Sequence, residues 1–159
     1  MTAVQAEVTV QTAVAAHPDR VWRLLVDWDR QREWIPFTRT EHVDGPRLGI
    51  GTRIAARTGL GPLGFVDKMT VTAVDPPRRY EVVHTGQMVK GVGAFMVEPD
   101  GQGTRFTWWE RAEVPGGPLA PVLWWVGGPL TRLAFARALR RLRRLAEAEE
   151  ARPAGVGTP

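Results

Sequence analysis

A chain of 159 residues, with 43% hydrophobic and 24% charged side chains, is long enough for one domain that buries about 70% of the surface its unfolded form exposes. It contains no cysteine and no serine, which excludes disulfides, thiolate chemistry and a serine nucleophile. The formal charge is +4, from 21 basic and 17 acidic residues, and every basic side chain except Lys68 and Lys90 is arginine.

The amino-terminal stretch MTAVQAEVTVQTAV has neither a basic n-region nor a continuous apolar h-region. It does not read as a signal peptide, and a cytoplasmic location is expected. Val4 to Val14 is strand-like. A helix is predicted to begin at Pro18, whose ring already holds φ near the helical value, with Asp19 suited to the positive end of the helix dipole. Val21, Trp22, Leu24, Leu25 and Trp28 recur at helical spacing and leave Arg20, Arg23 and Asp27 for water. A second short turn runs from Arg30 to Trp34 and ends at Pro36. Trp22 and Trp28 read as core beneath the first helix, whereas Trp34 and Phe37, just past the second turn, are placed to meet a ligand.

Six β-branched or alternating runs follow: Thr38 to Val43, Thr52 to Thr58, Phe65 to Val74, Arg79 to Thr85, Met88 to Glu98 and Thr104 to Val114. In succession they predict an antiparallel meander. Glycine and proline gather at Gly45 to Gly51, Gly59 to Gly64 and Pro115 to Pro129, which read as connections. A final helix is predicted from about Pro129 to Ala151, with Thr131, Phe135, Ala138, Leu139, Leu142 and Leu145 on one face. Residues 152–159 have the composition of a disordered tail, so the domain is expected to span residues 1–151.

The order of these elements, with the phrases Asp27-Trp28, Trp34-Ile35-Pro36-Phe37, Asp75-Pro76-Pro77-Arg78-Arg79 and Gly103-Thr104-Arg105-Phe106-Thr107-Trp108, resembles the START-like superfamily, in particular its polyketide cyclase/dehydrase (SRPBCC) branch. The resemblance covers nearly the whole chain. It implies an α+β helix-grip fold: a seven-stranded curved antiparallel sheet, two short helices after the first strand, and a long C-terminal helix across the concave face. The gap between sheet and helix would be a hydrophobic ligand cavity. Fold alone does not give function, so the residues facing that gap decide the reading.

Successive strand residues point to opposite faces, and the more apolar parity is the expected inside. Phe106, Trp108, Ala112 and Val114 share one parity, Phe65, Met69, Val71 and Ala73 another, and Tyr80 and Val82 a third. Three ionisable groups fall on these apolar parities: Glu110, Asp67 and His84. A charge facing apolar space is costly unless paired, and such groups are enriched in functional sites. They are the candidate general acid/base groups or polar anchors. The alternative is structural, with Asp67 and His84 at wet strand ends and Glu110 paired to an arginine. The predicted ligand-binding set is Trp34, Phe37, Met69, Phe95, Phe106, Trp108, Trp124, Trp125, Phe135 and Leu139, with Trp34, Trp124 and Trp125 framing an entrance.

There is no phosphate-binding glycine loop, since Gly91 and Gly93 lie inside a strand-like run. His17, His42 and His84 have no paired metal-ligand spacing, so no metal and no cofactor is expected. Arg132, Arg137, Arg140, Arg141, Arg143 and Arg144 crowd the last helix, but they read as a solvated face offset by Glu147, Glu149 and Glu150. Nucleic acid is therefore not an expected partner. The leading expectation is a binder of a hydrophobic small molecule such as a polyketide, lipid or isoprenoid. The alternative is a polyketide aromatase/cyclase acting by aldol condensation and dehydration without metal or nucleotide. A further reading is a membrane- or partner-associated module, using Trp124 and Trp125 with Leu123, Val126 and Arg132 at a lipid interface. Monomer and homodimer are both open.

Overall fold

The computed structural model describes residues 4–152; apart from Arg152, the segment read as a disordered tail lies outside the described residues. The elements are β1 (Gln5–Val14), α1 (Pro18–Val26), α2 (Gln31–Trp34), β2 (Thr38–Asp44), β3 (Arg53–Thr58), β4 (Phe65–Asp75), β5 (Arg79–Thr85), β6 (Lys90–Asp100), β7 (Gly103–Glu113) and α3 (Ala120–Glu150). The strands form one antiparallel sheet in the order β1-β7-β6-β5-β4-β3-β2. The last six strands thus make a meander, and β1 closes its far edge by pairing with β7. This is the helix-grip architecture that the resemblance implies.

Helix α1 begins at Pro18, as its sequence predicts, and the His17 ring accepts the Asp19 N–H at 3.3 Å to cap it. Val21, Trp22, Leu24 and Leu25 are buried on one face. Trp28 lies past the helix end, packs against the core and stacks on the His42 ring at 5.9 Å. Arg20 does more than face water. Its guanidinium binds Glu150 at 2.6 Å, while Arg30 binds Glu33 at 2.9 Å and Glu149 at 2.6 Å. These pairs tie α1 and the start of α2 to the C-terminal end of α3.

Two expectations need correction. The last helix begins at Ala120, not near Pro129, so the stretch read as a connection is helical from Ala120 and carries Pro129 inside it. An interior proline removes one backbone hydrogen bond and costs about 3 kcal/mol. Here the Thr131 hydroxyl donates to the Gly127 carbonyl at 2.9 Å, and the Trp124 ring covers Gly128, where an added Cβ would come within 3.0 Å of it. The helix continues through Pro129 although that residue offers no N–H to the Trp125 carbonyl. The second correction concerns Ala73. A bulge between Val71 and Ala73 shifts the register of β4 against β5, so that Val71 pairs with Val82, Ala73 with Glu81 and Val74 with Tyr80. A bulge places two residues opposite one and reverses the face of everything after it, so Val74 rather than Ala73 joins the core.

The core is centred on Trp34, which has no exposed surface. Its ring meets Phe95, Phe106 and Trp108 edge-on at centroid distances of 5.8, 6.4 and 6.0 Å, an arrangement that aromatic quadrupoles favour. Leu139 and Leu142 of α3 are buried in the same cluster.

Candidate functional site

Between the concave face of the sheet and α3 lies a cavity of about 860 Å3. Its wall is mostly apolar. Met69 from β4, Tyr80 and Val82 from β5, Phe95 from β6 and Trp108 from β7 line it opposite Trp124 and Phe135 of α3. The Phe135 ring stacks on Trp108 at 3.9 Å between centroids with planes 12° apart, so this pair bridges helix and sheet at one side of the space without filling it.

The three ionisable groups on apolar parities meet at this wall. The imidazole of His84, only 7% exposed, lies with Nδ1 2.7 Å from Asp67 Oδ2 and Nε2 2.9 Å from Glu110 Oε2. Trp108 Nε1 donates to the other Glu110 oxygen at 2.8 Å. The sheet makes this meeting feasible because Glu110 on β7 stands opposite Gly93 on β6, and a Cβ at position 93 would fall 2.7 to 2.9 Å from the Glu110 carboxylate. The missing side chain leaves a trough through which Glu110 reaches across β6 to β5. Burial opposes a charge on His84, but the hydrogen bonds to Asp67 and Glu110 override it and lift the ring's pKa to about 10. His84 is therefore an imidazolium at neutral pH. No metal-ligating cluster occurs among the described residues.

The carboxylates differ in what they have left to offer. Both Glu110 oxygens accept hydrogen bonds, whereas Asp67 Oδ1 is buried without a partner. An orphaned acceptor at a cavity wall is costly. Asp67 is thus the member of the trio with an unpaired oxygen, one that is buried. Glu110 is paired with His84 and Trp108 rather than with an arginine.

Replacing Gly93 with alanine is expected to push the Glu110 carboxylate off Nε2 and move the His84 titration down toward the ordinary imidazole value near 6.5. Ring 15N shifts followed against pH would report it. An unmoved titration would mean that Glu110 tolerates the methyl group and that the trough is not what positions it.

Of the predicted ligand-binding residues, Met69, Phe95, Trp108, Trp124 and Phe135 line the cavity. Phe37 is on its lining too but 67% exposed, at φ +58°, which marks the mouth; a bulky residue rarely holds that left-handed conformation. Four residues are placed otherwise. Trp34, Phe106 and Leu139 are core, buried behind the lining by the rings and helix that cover them. Trp125 is 79% exposed on the outer side of α3, because neighbours on a helix point about 100° apart and only one of the Trp124–Trp125 pair can face inward. The pair consequently cannot frame an entrance together, and Leu123, Trp125 and Val126 form an exposed apolar strip instead. No helix among the described residues is long and apolar enough to cross a membrane.

Sequence reading placed Tyr80 on the inward parity but left it out of the ligand-binding set, and it read Arg137 and Arg141, which border the cavity, only as part of a solvated face. A signal existed: Ala134, Arg137, Ala138 and Arg141 follow the i, i+3, i+4, i+7 spacing of one helical face. Gly93 was also missed, since a glycine in a strand shows its purpose only when the residue lying over it is known.

The sequence pattern of the family described as polyketide cyclase/dehydrase and lipid transport matches residues 5–147. No curated protein matches the chain. Among solved structures, a protein from Thermus thermophilus superimposes with a TM-score of 0.78 at 19% identity, covering 92% of this chain and 100% of its own. The Zhui aromatase/cyclase from Streptomyces sp. R1128 gives a TM-score of 0.74 at 18% identity, covering 96% of this chain and 99% of its own. A Mesorhizobium loti protein gives 0.67 at 18% identity, covering 93% of this chain and 100% of its own. At such identities these three establish a shared fold.

Proposed function

The chain belongs to the family of polyketide cyclases/dehydrases and lipid transport proteins, and on that premise we propose that its cavity binds a hydrophobic small molecule of the polyketide, lipid or isoprenoid class. The observation that carries this is the cavity itself. At about 860 Å3 it falls within the range of small-molecule sites, and its wall has the composition of one, apolar with a few converging polar groups. Asp67 lines the cavity and its buried Oδ1 lacks a partner, which adds a preference: a ligand carrying a hydroxyl or enol donor satisfies it once the carboxylate turns toward the space, whereas a pure hydrocarbon leaves it unpaired.

Two measurements test this. Native mass spectrometry of the purified protein should find an apolar molecule bound, or a neutral apolar dye should bind and be displaced competitively by hydrophobic compounds. No co-purified mass and no dye binding would sink the reading. Titration with 1-naphthol and naphthalene then isolates Asp67. Naphthol is expected to bind more tightly, and Asp67→Asn to lose about tenfold of that preference, the usual effect of deleting a buried acceptor for a hydroxyl. Equal binding of the two compounds by the unaltered protein would remove the donor preference.

The trio supports a second reading, the aromatase/cyclase. On it Asp67 is the base, its buried Oδ1 turning into the cavity to take a proton from a methylene between two carbonyls of a folded poly-β-ketone, the resulting enolate forming the new carbon–carbon bond. The proton on Asp67 would then pass to the alkoxide, and loss of water would complete the step. Turnover of a poly-β-ketone mimic, abolished by Asp67→Asn, is the expected result on this reading. Binding without turnover discards it and keeps the first.

A further inference from the structure

We propose that the ligand of this cavity carries an anionic group, a phosphate or a carboxylate, and that Arg137 and Arg141 receive it at the cavity rim. This deepens the cavity reading and rests on it. Arg137, Arg140, Arg141 and Arg144 stand at i, i+3, i+4 and i+7 on α3, so their side chains form one stripe. Arg137 and Arg141 belong to the lining of the large cavity, and all four line an adjoining hollow of about 330 Å3. The apolar space and the basic hollow therefore share two side chains.

The stripe is not neutralised by the protein. The acidic residues that follow it in sequence are engaged elsewhere: Glu147 with Arg143, Glu149 with Arg30 and Arg20, and Glu150 with Arg20. Among the described residues none of the four arginines has a carboxylate within 4.0 Å, whereas Arg20, Arg30 and Arg143 around the same end of α3 are each paired. Like charges one turn apart destabilise a helix. Four together, uncompensated and beside a cavity, suit an anion better than they suit the fold. Guanidinium groups bind phosphate and carboxylate with paired, charge-assisted hydrogen bonds. Of the arginines read as a solvated face, Arg143 is offset by Glu147 as expected, whereas no such pair is made by the four of this stripe among the described residues.

The class of ligand follows from the two adjoining environments. A chain or ring system fits the apolar volume, and its acidic end lies between Arg137 and Arg141, with Arg140 and Arg144 raising the local positive potential. The same chemistry would arise from a free amphiphile or from the headgroup of a lipid still in a membrane; the stripe's continuity with the cavity lining favours the free amphiphile.

The test uses decyl phosphate and decanol, both below the concentration at which they aggregate, titrated calorimetrically into the intact protein. Decyl phosphate is expected to bind at least tenfold more tightly than decanol, with the difference shrinking as salt rises. In the Arg137→Gln/Arg141→Gln variant the two probes should bind alike, while Arg23→Gln, an exposed arginine away from the cavity, should retain the preference. Equal binding by the unaltered protein would overturn the anion site and leave the cavity reading standing. Failure of both probes to bind would overturn both. A third arm adds phosphatidylcholine vesicles with and without phosphatidic acid: capture by the acidic vesicles in the absence of decyl phosphate binding would assign the stripe to a membrane and refute the internal ligand.

Discussion

Replacing Trp34 with alanine is expected to cost about 3–5 kcal/mol of stability, the usual loss for truncating a buried tryptophan, and to lower Tm by on the order of 10 °C for a chain of this length. The reason is its position rather than its type. Trp34 has no exposed surface and packs against Phe95, Phe106 and Trp108, so its removal leaves a void bordered by three rings, of which Phe95 and Trp108 can fill it only by leaving the cavity wall. Trp125, 79% exposed, is the internal comparison: its alanine variant should stay within about 0.5 kcal/mol of the unaltered protein. Urea unfolding of both variants measures the difference. Similar losses for the two, or a small loss for Trp34→Ala, would contradict the assignment of Trp34 to the core. Because Phe95 and Trp108 also line the cavity, Trp34→Ala should weaken binding of a neutral apolar dye as well.

Stability is expected to fall as pH rises from about 6.5 to about 10, and His84 is the cause. Its folded pKa stands near 10, above the value of about 6.5 for an unfolded imidazole. Below pH 6.5 both states hold the proton and the contribution is complete. Between the two values the native state binds more protons than the unfolded state, so unfolding becomes easier with each step of pH. Above about 10 the contribution is gone. Tyr80, whose phenol burial lifts to about 12, adds a separate loss only once the unfolded phenol ionises above about 10. Urea unfolding at pH 6, 8 and 10 measures the slope. In His84→Gln the decline between 6.5 and 10 should disappear, and stability at pH 6 should drop by about 3–5 kcal/mol, because Asp67 and Glu110 would face each other without their shared cation. A His84→Gln variant that keeps the alkaline slope would show that another group titrates there.

These expectations separate what local sequence carries from what it does not. Pro18, the 3.6-residue recurrence from Val21 to Leu25, and the alternation through β7 act over a few residues each, and all three read correctly. The inward parity of Asp67, His84 and Glu110 was legible for the same reason, since alternation places a side chain on a face without knowledge of the partner strand. Their meeting was not legible. It requires the register that puts Glu110 beside Gly93 and Met69 beside His84, and register belongs to pairs of strands. Ala73 fails for this reason: a bulge of one residue reverses its face, and nothing in the string Thr72-Ala73-Val74 announces it.

The end of the chain shows the same division. Pro129 predicts a helix start when read with its neighbours alone, yet α3 runs through it from Ala120 to Glu150. The sequence by itself determined the elements, their order and the faces of regular strands, because those rest on periodicity and backbone preference within single segments. Only the tertiary structure decided that Trp34, Phe106 and Leu139 are core, that Trp124 points inward and Trp125 outward, and that Glu147, Glu149 and Glu150 are engaged by Arg143, Arg30 and Arg20. Burial and charge pairing depend on what arrives from the other side of the fold, and contacts between segments far apart in sequence leave no periodic trace in either one.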